Sequence, residues 1–317
     1  MTISLPTPLH GAQPGPARPC PTASRLIGAV LAAAIVAALV TPAQAGPLRD
    51  LLGRGGDASR QKSYDWPADR VQRDVAYGSD PAQRFDVYLP VKVDHPRILL
   101  MVHGGGWARG DKLMQGVWQN KARHWTGQGW IFISTNYRMV PQANPLEQAR
   151  DVARALAKVQ QMAPSWGADP HGVILMGHSA GAHLVALLTA RPQWAYEQGA
   201  QAWRASISLD SGAMDVSAIM KRRHFRLYDQ AFGQDPAFWA QVSPLQQLSG
   251  PIVPTLAVCS SRRQDSCPEA HQLADRAAGF GSHVQVLPED LTHAEINHEL
   301  GADNDYTRSV DAFIAGL

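Results

Sequence analysis

Gly172-Val-Ile-Leu-Met-Gly-His-Ser-Ala-Gly-Ala-His-Leu-Val-Ala-Leu187 is the stretch whose reading decides the fold. Val173 to Met176 form a short apolar run suited to a strand buried on both faces, and Ala180 to Ala190 reads as a helix packed behind it. Between them a Gly-x-Ser-x-Gly turn needs glycine at 177 and 181, because strand and helix backbones nearly collide there. Ser179 is thereby held at the apex of a sharp bend with its hydroxyl exposed. Upstream, the apolar run Ile98-Leu99-Leu100-Met101-Val102 leads into His103-Gly104-Gly105-Gly106-Trp107. A strand followed by such a glycine loop can aim backbone N–H groups at an oxyanion.

The rest of the chain alternates strand and helix patterns around these two motifs. Arg70 to Tyr77 and Phe85 to Leu89 alternate apolar and polar residues, with Gly78-Ser79-Asp80-Pro81 as turn chemistry between them, and form an antiparallel edge. Leu113 to Gln128 is expected helical and Trp130 to Tyr137 a strand. Pro145 opens a helix whose apolar stripe includes Leu146, Ala149, Val152, Ala153, Leu156 and Val159. Strand Ala205 to Leu209, strand Thr255 to Ser260, helix Pro268 to Gly279, strand His283 to Leu287 and a terminal helix from Asp305 to Ile314 complete the series. This alternation predicts an α/β fold: a mostly parallel, twisted sheet of about eight strands with helices on both faces.

Residues 211–250 interrupt the alternation. They are polar and aromatic, with Phe225, Tyr228, Phe232, Phe238 and Trp239 spread through them, and form either a small cap that shapes a pocket or a plain surface excursion. The basic run Lys221-Arg222-Arg223-His224 within them reads as a solvated face.

With 317 residues and 45% hydrophobic content, one large core is expected. Residues 1–45 read as a secretory signal: Leu26 to Val40 is uncharged, follows Arg18 and Arg25, and leads to an Ala-x-Ala site with cleavage before Gly46. The apolar run is shorter than the roughly 20 residues a spanning helix needs. The mature domain is then 46–317, exported to the periplasm or outside the cell, and loss of the two arginines takes the formal charge from +2 to zero. That balance gives no basis for nucleic-acid binding. Export leaves Cys259 and Cys267, an even pair expected to close a short loop and to stabilise the fold by roughly 2 to 3 kcal/mol.

A serine hydroxyl needs an imidazole to accept its proton and a carboxylate to fix that imidazole's tautomer. In sheets wound this way the order is serine, acid, histidine, each on a loop at the C-terminal end of a strand. His293 fits, in a short loop after the last strand. His298 reads as a helix-surface residue, and His178, His183 and His103 as structural hydrogen bonders. Asp265, just past the strand 255–260 and two residues before Cys267, is the expected acid; Asp210, at the end of the preceding strand, competes with it.

On His103-Gly-Gly-Gly-Trp107, Asn136-Tyr137-Arg138, Gly177-His-Ser-Ala-Gly181 and the Asp265/His293 pair, residues 65–317 resemble the α/β-hydrolase superfamily. Within it they look like the small carboxylesterases related to hormone-sensitive lipase, feruloyl esterases and arylformamidases. His178 and Ala182 stand where hormone-sensitive-lipase relatives carry Asp and Gly, which moves the likeness toward the feruloyl-esterase and arylformamidase branch. The resemblance implies an oxyanion hole from the N–H groups of Gly105, Gly106 and Ala180, and places Trp107 either beside the substrate pocket or under the glycine loop. It also implies a serine esterase acting on small carboxylic esters through an acyl-enzyme, with no metal or cofactor. Amide or formamide hydrolysis is the alternative within chemistry, and a catalytically silent binding domain the alternative outside it.

Overall fold

The structure, a computed structural model, describes residues 66–317 apart from Lys92. The expected signal at 1–45 and the first residues of the expected mature domain, 46–65, lie outside the described residues. Eight strands form one sheet: β1 (Val71–Ala76), β2 (Arg84–Tyr88), β3 (Ile98–Val102), β4 (Ile131–Thr135), β5 (Val173–His178), β6 (Ala205–Leu209), β7 (Thr255–Ser260) and β8 (Val284–Glu289). Their order is β1-β2-β4-β3-β5-β6-β7-β8. β2 runs antiparallel to both β1 and β4, and the pairings from β4 through β8 are parallel. This is the mostly parallel α/β sheet that the alternation predicts, in the α/β-hydrolase arrangement that the resemblance implies.

Central strands are apolar on both sides because helices cover both. Ile98, Leu100 and Val102 of β3 pack under α2 (Pro145–Met162) and α3 (Ala180–Ala190), whereas Leu99 and Met101 face α1 (Gln115–Gly127). Helix α2 starts where Pro145 predicts: Asn144 accepts from the Glu147 N–H, and Glu147 reaches back to the Asn144 N–H, a reciprocal cap. The short α4 (Gln193–Tyr196) then leads toward β6.

Residues 211–250 carry four short helices, α5 (Val216–Met220), α6 (Arg226–Phe232), α7 (Pro236–Gln241) and α8 (Pro244–Gln247). Tyr228, Phe232 and Trp239 are buried among them, while Lys221, Arg222 and Arg223 are exposed, as a solvated face requires. After β7 come α9 (Ser266–Ala278), β8, α10 (His293–His298) and α11 (Asp305–Ala315). Cys259 and Cys267 are joined as expected, closing the turn between β7 and α9. No helix among the described residues is long and apolar enough to cross a membrane.

Parallel register brings the C-terminal ends of β3, β5, β6 and β7 to one edge of the sheet: Val102 lies beside Gly177, His178 beside Leu209, and Leu209 beside Val258. The loops that leave those four strands converge there.

Candidate active site

Ser179 sits between β5 and α3 with φ 57° and ψ −119°, a left-handed backbone costly for a side chain with a Cβ. Its environment enforces it. A Cβ on Gly177 would lie 2.3 Å from the Gly181 carbonyl oxygen, and one on Gly181 would lie 2.3 Å from that of Val102 and 2.5 Å from that of His103. Only glycine at both positions lets the strand, the helix and the glycine loop approach this closely. The Ser179 N–H is tied to the Leu209 carbonyl at 2.9 Å, fixing the bend against β6.

His293 Nε2 lies 2.9 Å from Ser179 Oγ, and His293 Nδ1 lies 2.5 Å from Asp210 Oδ2. The carboxylate that meets the imidazole is therefore Asp210, at the end of β6, and the expectation of Asp265 is corrected. Asp265 instead grips Arg263, Oδ1 accepting from Nε and Oδ2 from Nη2, each at 3.0 Å. The physical reason is local: Arg263, two residues before Asp265, reaches back over the loop and captures its carboxylate, while Asp210 turns inward in a left-handed conformation (φ 54°).

Asp210 is fully buried and surrounded by donors. Oδ1 accepts from the Ser260 N–H at 2.7 Å and the Ser266 hydroxyl at 2.5 Å; Oδ2 accepts from His293 Nδ1 and, at 2.8 Å, from Arg263 Nη1. Burial by itself would raise the acid's pKa, but the His293 hydrogen bond, the Arg263 charge and the Ser266 hydroxyl together hold it well below the usual carboxylate range. An ionised Asp210 can only accept, so Nδ1 carries the imidazole proton. Nε2 then presents a lone pair to the Ser179 hydroxyl, the arrangement a general base requires.

His293 is the first residue of α10 rather than part of a loop. Thr292 caps that helix and Glu295 completes the reciprocal cap, so the Thr-x-x-Glu spacing in the sequence already signalled a helix start. The helix is anchored from three sides. His178 Nε2 donates to the His293 carbonyl at 2.9 Å, and the Tyr306 hydroxyl donates to that of Ile296 at 3.0 Å. From α1, the ammonium of Lys121 donates to the Asn297 carbonyl, to Asn297 Oδ1 and to the Gly116 carbonyl. Burial among neutral acceptors pushes the Lys121 pKa down to about 7. Burial, reinforced by the nearby His293, pushes that of His178 well down, so its ring is a neutral strut.

The glycine loop adopts positive φ at Gly105 (123°), Gly106 (61°) and Trp107 (61°). A Cβ on Gly105 would stand 1.9 Å from the Arg109 carbonyl oxygen, so only glycine fits. The Asn136-Tyr137-Arg138 segment scaffolds this loop: Asn136 accepts from the Lys112 N–H, Tyr137 donates to the His103 carbonyl at 3.0 Å, and Arg138 pairs with buried Asp151. His103 stacks on Tyr137 and His183 takes the Trp107 indole N–H on Nδ1 at 3.1 Å, while donating from Nε2 to the Val242 carbonyl. Burial lowers the His183 pKa to about 4, which keeps that tautomer neutral.

Gly106, Trp107, Ser179, Ala180, Asp210, Ser211, Gly212, Ala213, Leu227, Tyr228 and Arg263 line a narrow recess of about 20 Å³. Trp107 thus faces the pocket, with Tyr228 and Phe232 packed against its ring. The segment 211–250 contributes Ser211, Gly212, Ala213, Leu227 and Tyr228 to that lining. Ala180, the first residue of α3, has an amide outside the intrahelical ladder and beside Ser179. Gly105 is one residue removed from the recess lining. Arg263 and Ser266 were missed as site residues; the signal available was their place in Arg262-Arg263-Gln264-Asp265-Ser266, the loop in which the acid was sought.

The chain is 29% identical to esterase LipC of Mycobacterium tuberculosis over 208 residues, 60% of this chain and 51% of that protein. It is 26% identical to kynurenine formamidase of Salmo salar over 247 residues, 73% of this chain and 77% of that protein. Several curated relatives, LipC among them, are only about half covered by the chain. In fold, a solved carbohydrate esterase from gut microbiota superposes with TM-score 0.66 at 16% identity, covering 78% of this chain and 95% of that one. The family model BD-FAE matches residues 85–258, from β2 through β7 and so through both motifs and Asp210. The chain belongs to the BD-FAE family, within the α/β-hydrolase fold.

Proposed function

We propose that the protein is a serine hydrolase of small carboxylic esters, working through an acyl-enzyme. The observation that carries the reading is the unbroken hydrogen-bonded line Ser179–His293–Asp210 at the sheet's C-terminal edge. His293 accepts the Ser179 proton as Oγ attacks the ester carbonyl, Asp210 stabilises the resulting imidazolium, and the same proton is passed to the leaving alcohol. Water then repeats the sequence against the acyl-enzyme and releases the acid. The N–H groups of Ala180 and of Gly105 and Gly106 receive the oxyanion; losing one such donor typically costs roughly 3 to 4 kcal/mol of barrier lowering. Trp107, Leu227 and Tyr228 bound a recess suited to short or compact acyl groups.

The relation to a kynurenine formamidase supports a second reading, hydrolysis of a formamide by the same groups, which asks more of His293 as acid toward a leaving nitrogen. Export is part of the proposal, supported by the signal-like residues 26–45 and the Cys259–Cys267 bond. The test is hydrolysis of a panel of p-nitrophenyl esters and an N-formyl arylamine by the wild type and Ser179→Ala. Ester turnover lost on substitution, and falling for acyl chains beyond about ten carbons, is expected; an unchanged rate in folded Ser179→Ala would falsify the reading.

A further inference from the structure

Arg263 lies wedged between two carboxylates and against the imidazole. Its Nη1 donates to Asp210 Oδ2 at 2.8 Å and to the Asp210 carbonyl at 3.1 Å, and sits 3.0 Å from His293 Nδ1 because both nitrogens share the same carboxylate oxygen. Its other edge is held by Asp265 in a two-point fork. The Arg263 side chain is 15% exposed, that of Asp265 34%, and that of Asp210 not at all. Gly212 forms the floor of the slot: a Cβ there would lie 2.7 Å from Asp265 Oδ2 and 2.9 Å from Arg263 Nη2. Ser260, Arg263 and Ser266, three of the four groups that grip Asp210, fall between Cys259 and Cys267, inside the loop the disulfide closes.

A full cation this near Nδ1 opposes the imidazolium that the reaction must form, so Arg263 by itself would hinder the base it helps to position. We propose that Arg263 and Asp265 act together as a positioning and charge-balancing pair: Arg263 holds Asp210 in its strained, inward conformation, and Asp265 offsets the charge that Arg263 brings beside His293. With both carboxylates present, the three side chains carry a single negative charge that imidazolium neutralises. Without Asp265, the imidazolium would face a pair already neutral. This inference rests on the Ser179–His293–Asp210 reading and adds to it a role for the second aspartate.

The other groups around His293 come from separate elements and stay constant when the pair is altered. They are neutral His178 of β5, with ring centroids 4.6 Å apart; Lys121 of α1, held on Asn297; and Glu295 of α10, bound to the Thr292 N–H and Arg262. Glu269 of α9 is the exception, since its carboxyl, raised to about 7 chiefly by burial, also senses Asp265. The measurement is therefore repeated on a Glu269→Gln background.

The experiment is kcat and KM against pH, from 5 to 9, on a short-chain p-nitrophenyl ester, for wild type, Asp265→Asn, Arg263→Gln and Arg263→Lys. Asp265→Asn is expected to move the acid limb of kcat/KM to lower pH by on the order of half a unit and to lower kcat severalfold with KM unchanged. Arg263→Gln is expected to move that limb to higher pH and to lower kcat about tenfold or more, and Arg263→Lys to return the limb to its place while restoring only part of kcat. Limbs that superimpose on the wild type, shifts of the same sign in both variants, or losses confined to KM would overturn the proposal. If Arg263→Gln does not fold, Asp265→Asn, at a partly exposed site, decides alone: an unmoved limb refutes it. A dead Ser179→Ala beside unmoved limbs sinks only this inference, whereas an active Ser179→Ala sinks the functional reading beneath it.

Discussion

Replacing Asp210 by Asn keeps the shape of the side chain and changes only what it can accept. In the wild type both oxygens take two donors each: the Ser260 N–H and Ser266 hydroxyl on one, His293 Nδ1–H and Arg263 Nη1–H on the other. An amide has one oxygen, so its NH2 must be turned on one of these pairs of donors. Turned toward His293, it donates to Nδ1 and drives the proton to Nε2, where the imidazole can no longer accept from Ser179. Turned the other way, it opposes Ser260 and Ser266 and leaves a neutral group facing the imidazolium. Either way kcat is expected to fall roughly 10³- to 10⁴-fold, on the order of 4 to 5 kcal/mol of barrier. Stability should suffer less than the 3 to 5 kcal/mol typical of stranding a buried charge, because Arg263 keeps Asp265; a loss of about 2 kcal/mol is expected. Steady-state kinetics on a p-nitrophenyl ester with urea unfolding of the same sample measure both. Asp210→Asn within tenfold of wild-type kcat, or Asp265→Asn as damaging as Asp210→Asn, would refute the assignment of the acid.

Three further outcomes follow from the same contacts. Glu269 is buried and accepts from the N–H groups of Met214 and Asp215, and its pKa is raised by that burial to about 7 from 4.5. The folded state therefore binds this proton more tightly, and the associated stability, up to about 3 kcal/mol, is present below pH 4.5 and lost as pH rises through 7. Urea midpoints of Glu269→Gln relative to wild type should thus climb between pH 5 and 8, and parallel curves would contradict the account. Cys259→Ser with Cys267→Ser opens the short loop and should lower unfolding free energy by about 2 to 3 kcal/mol; a loss below about 0.5 kcal/mol would show that Asp210's hydrogen bonds hold the loop unaided. Gly181→Ala puts a Cβ 2.3 Å from the Val102 oxygen and 2.5 Å from that of His103, both backbone atoms, so the glycine loop must shift. About 1 to 3 kcal/mol of stability should go, with kcat reduced more than KM; unchanged kcat would mean that the loop does not supply the oxyanion donors.

Much of this was legible in the sequence because it is written in local pattern. Buried strands show as apolar runs, so β6 and β7 were bounded to the residue, and the glycines at 177 and 181 are sterically obligatory beside Ser179. His293 was legible from chain order. The acid was not, because Asp210 and Asp265 both follow strands that lie side by side in the sheet, and nothing in the spacing says which carboxylate turns inward. That choice is made by tertiary partners: Arg263 captures Asp265, and the Ser260 amide and Ser266 hydroxyl, far from Asp210 in sequence, provide its seat. The helix at His293 was missed for a different reason, since the Thr292-x-x-Glu295 signal was present but stands before a helix of only six residues.

The central claim is that the Ser179 oxygen becomes covalently acylated. The most direct measurement is mass spectrometry of the protein quenched in acid during turnover of a slowly deacylated ester, followed by peptide mapping. The account predicts a mass gain of one acyl group confined to the peptide that contains Ser179 and absent from Ser179→Ala. Turnover without any adduct under conditions that trap a control serine esterase, or an adduct on another residue, would contradict it.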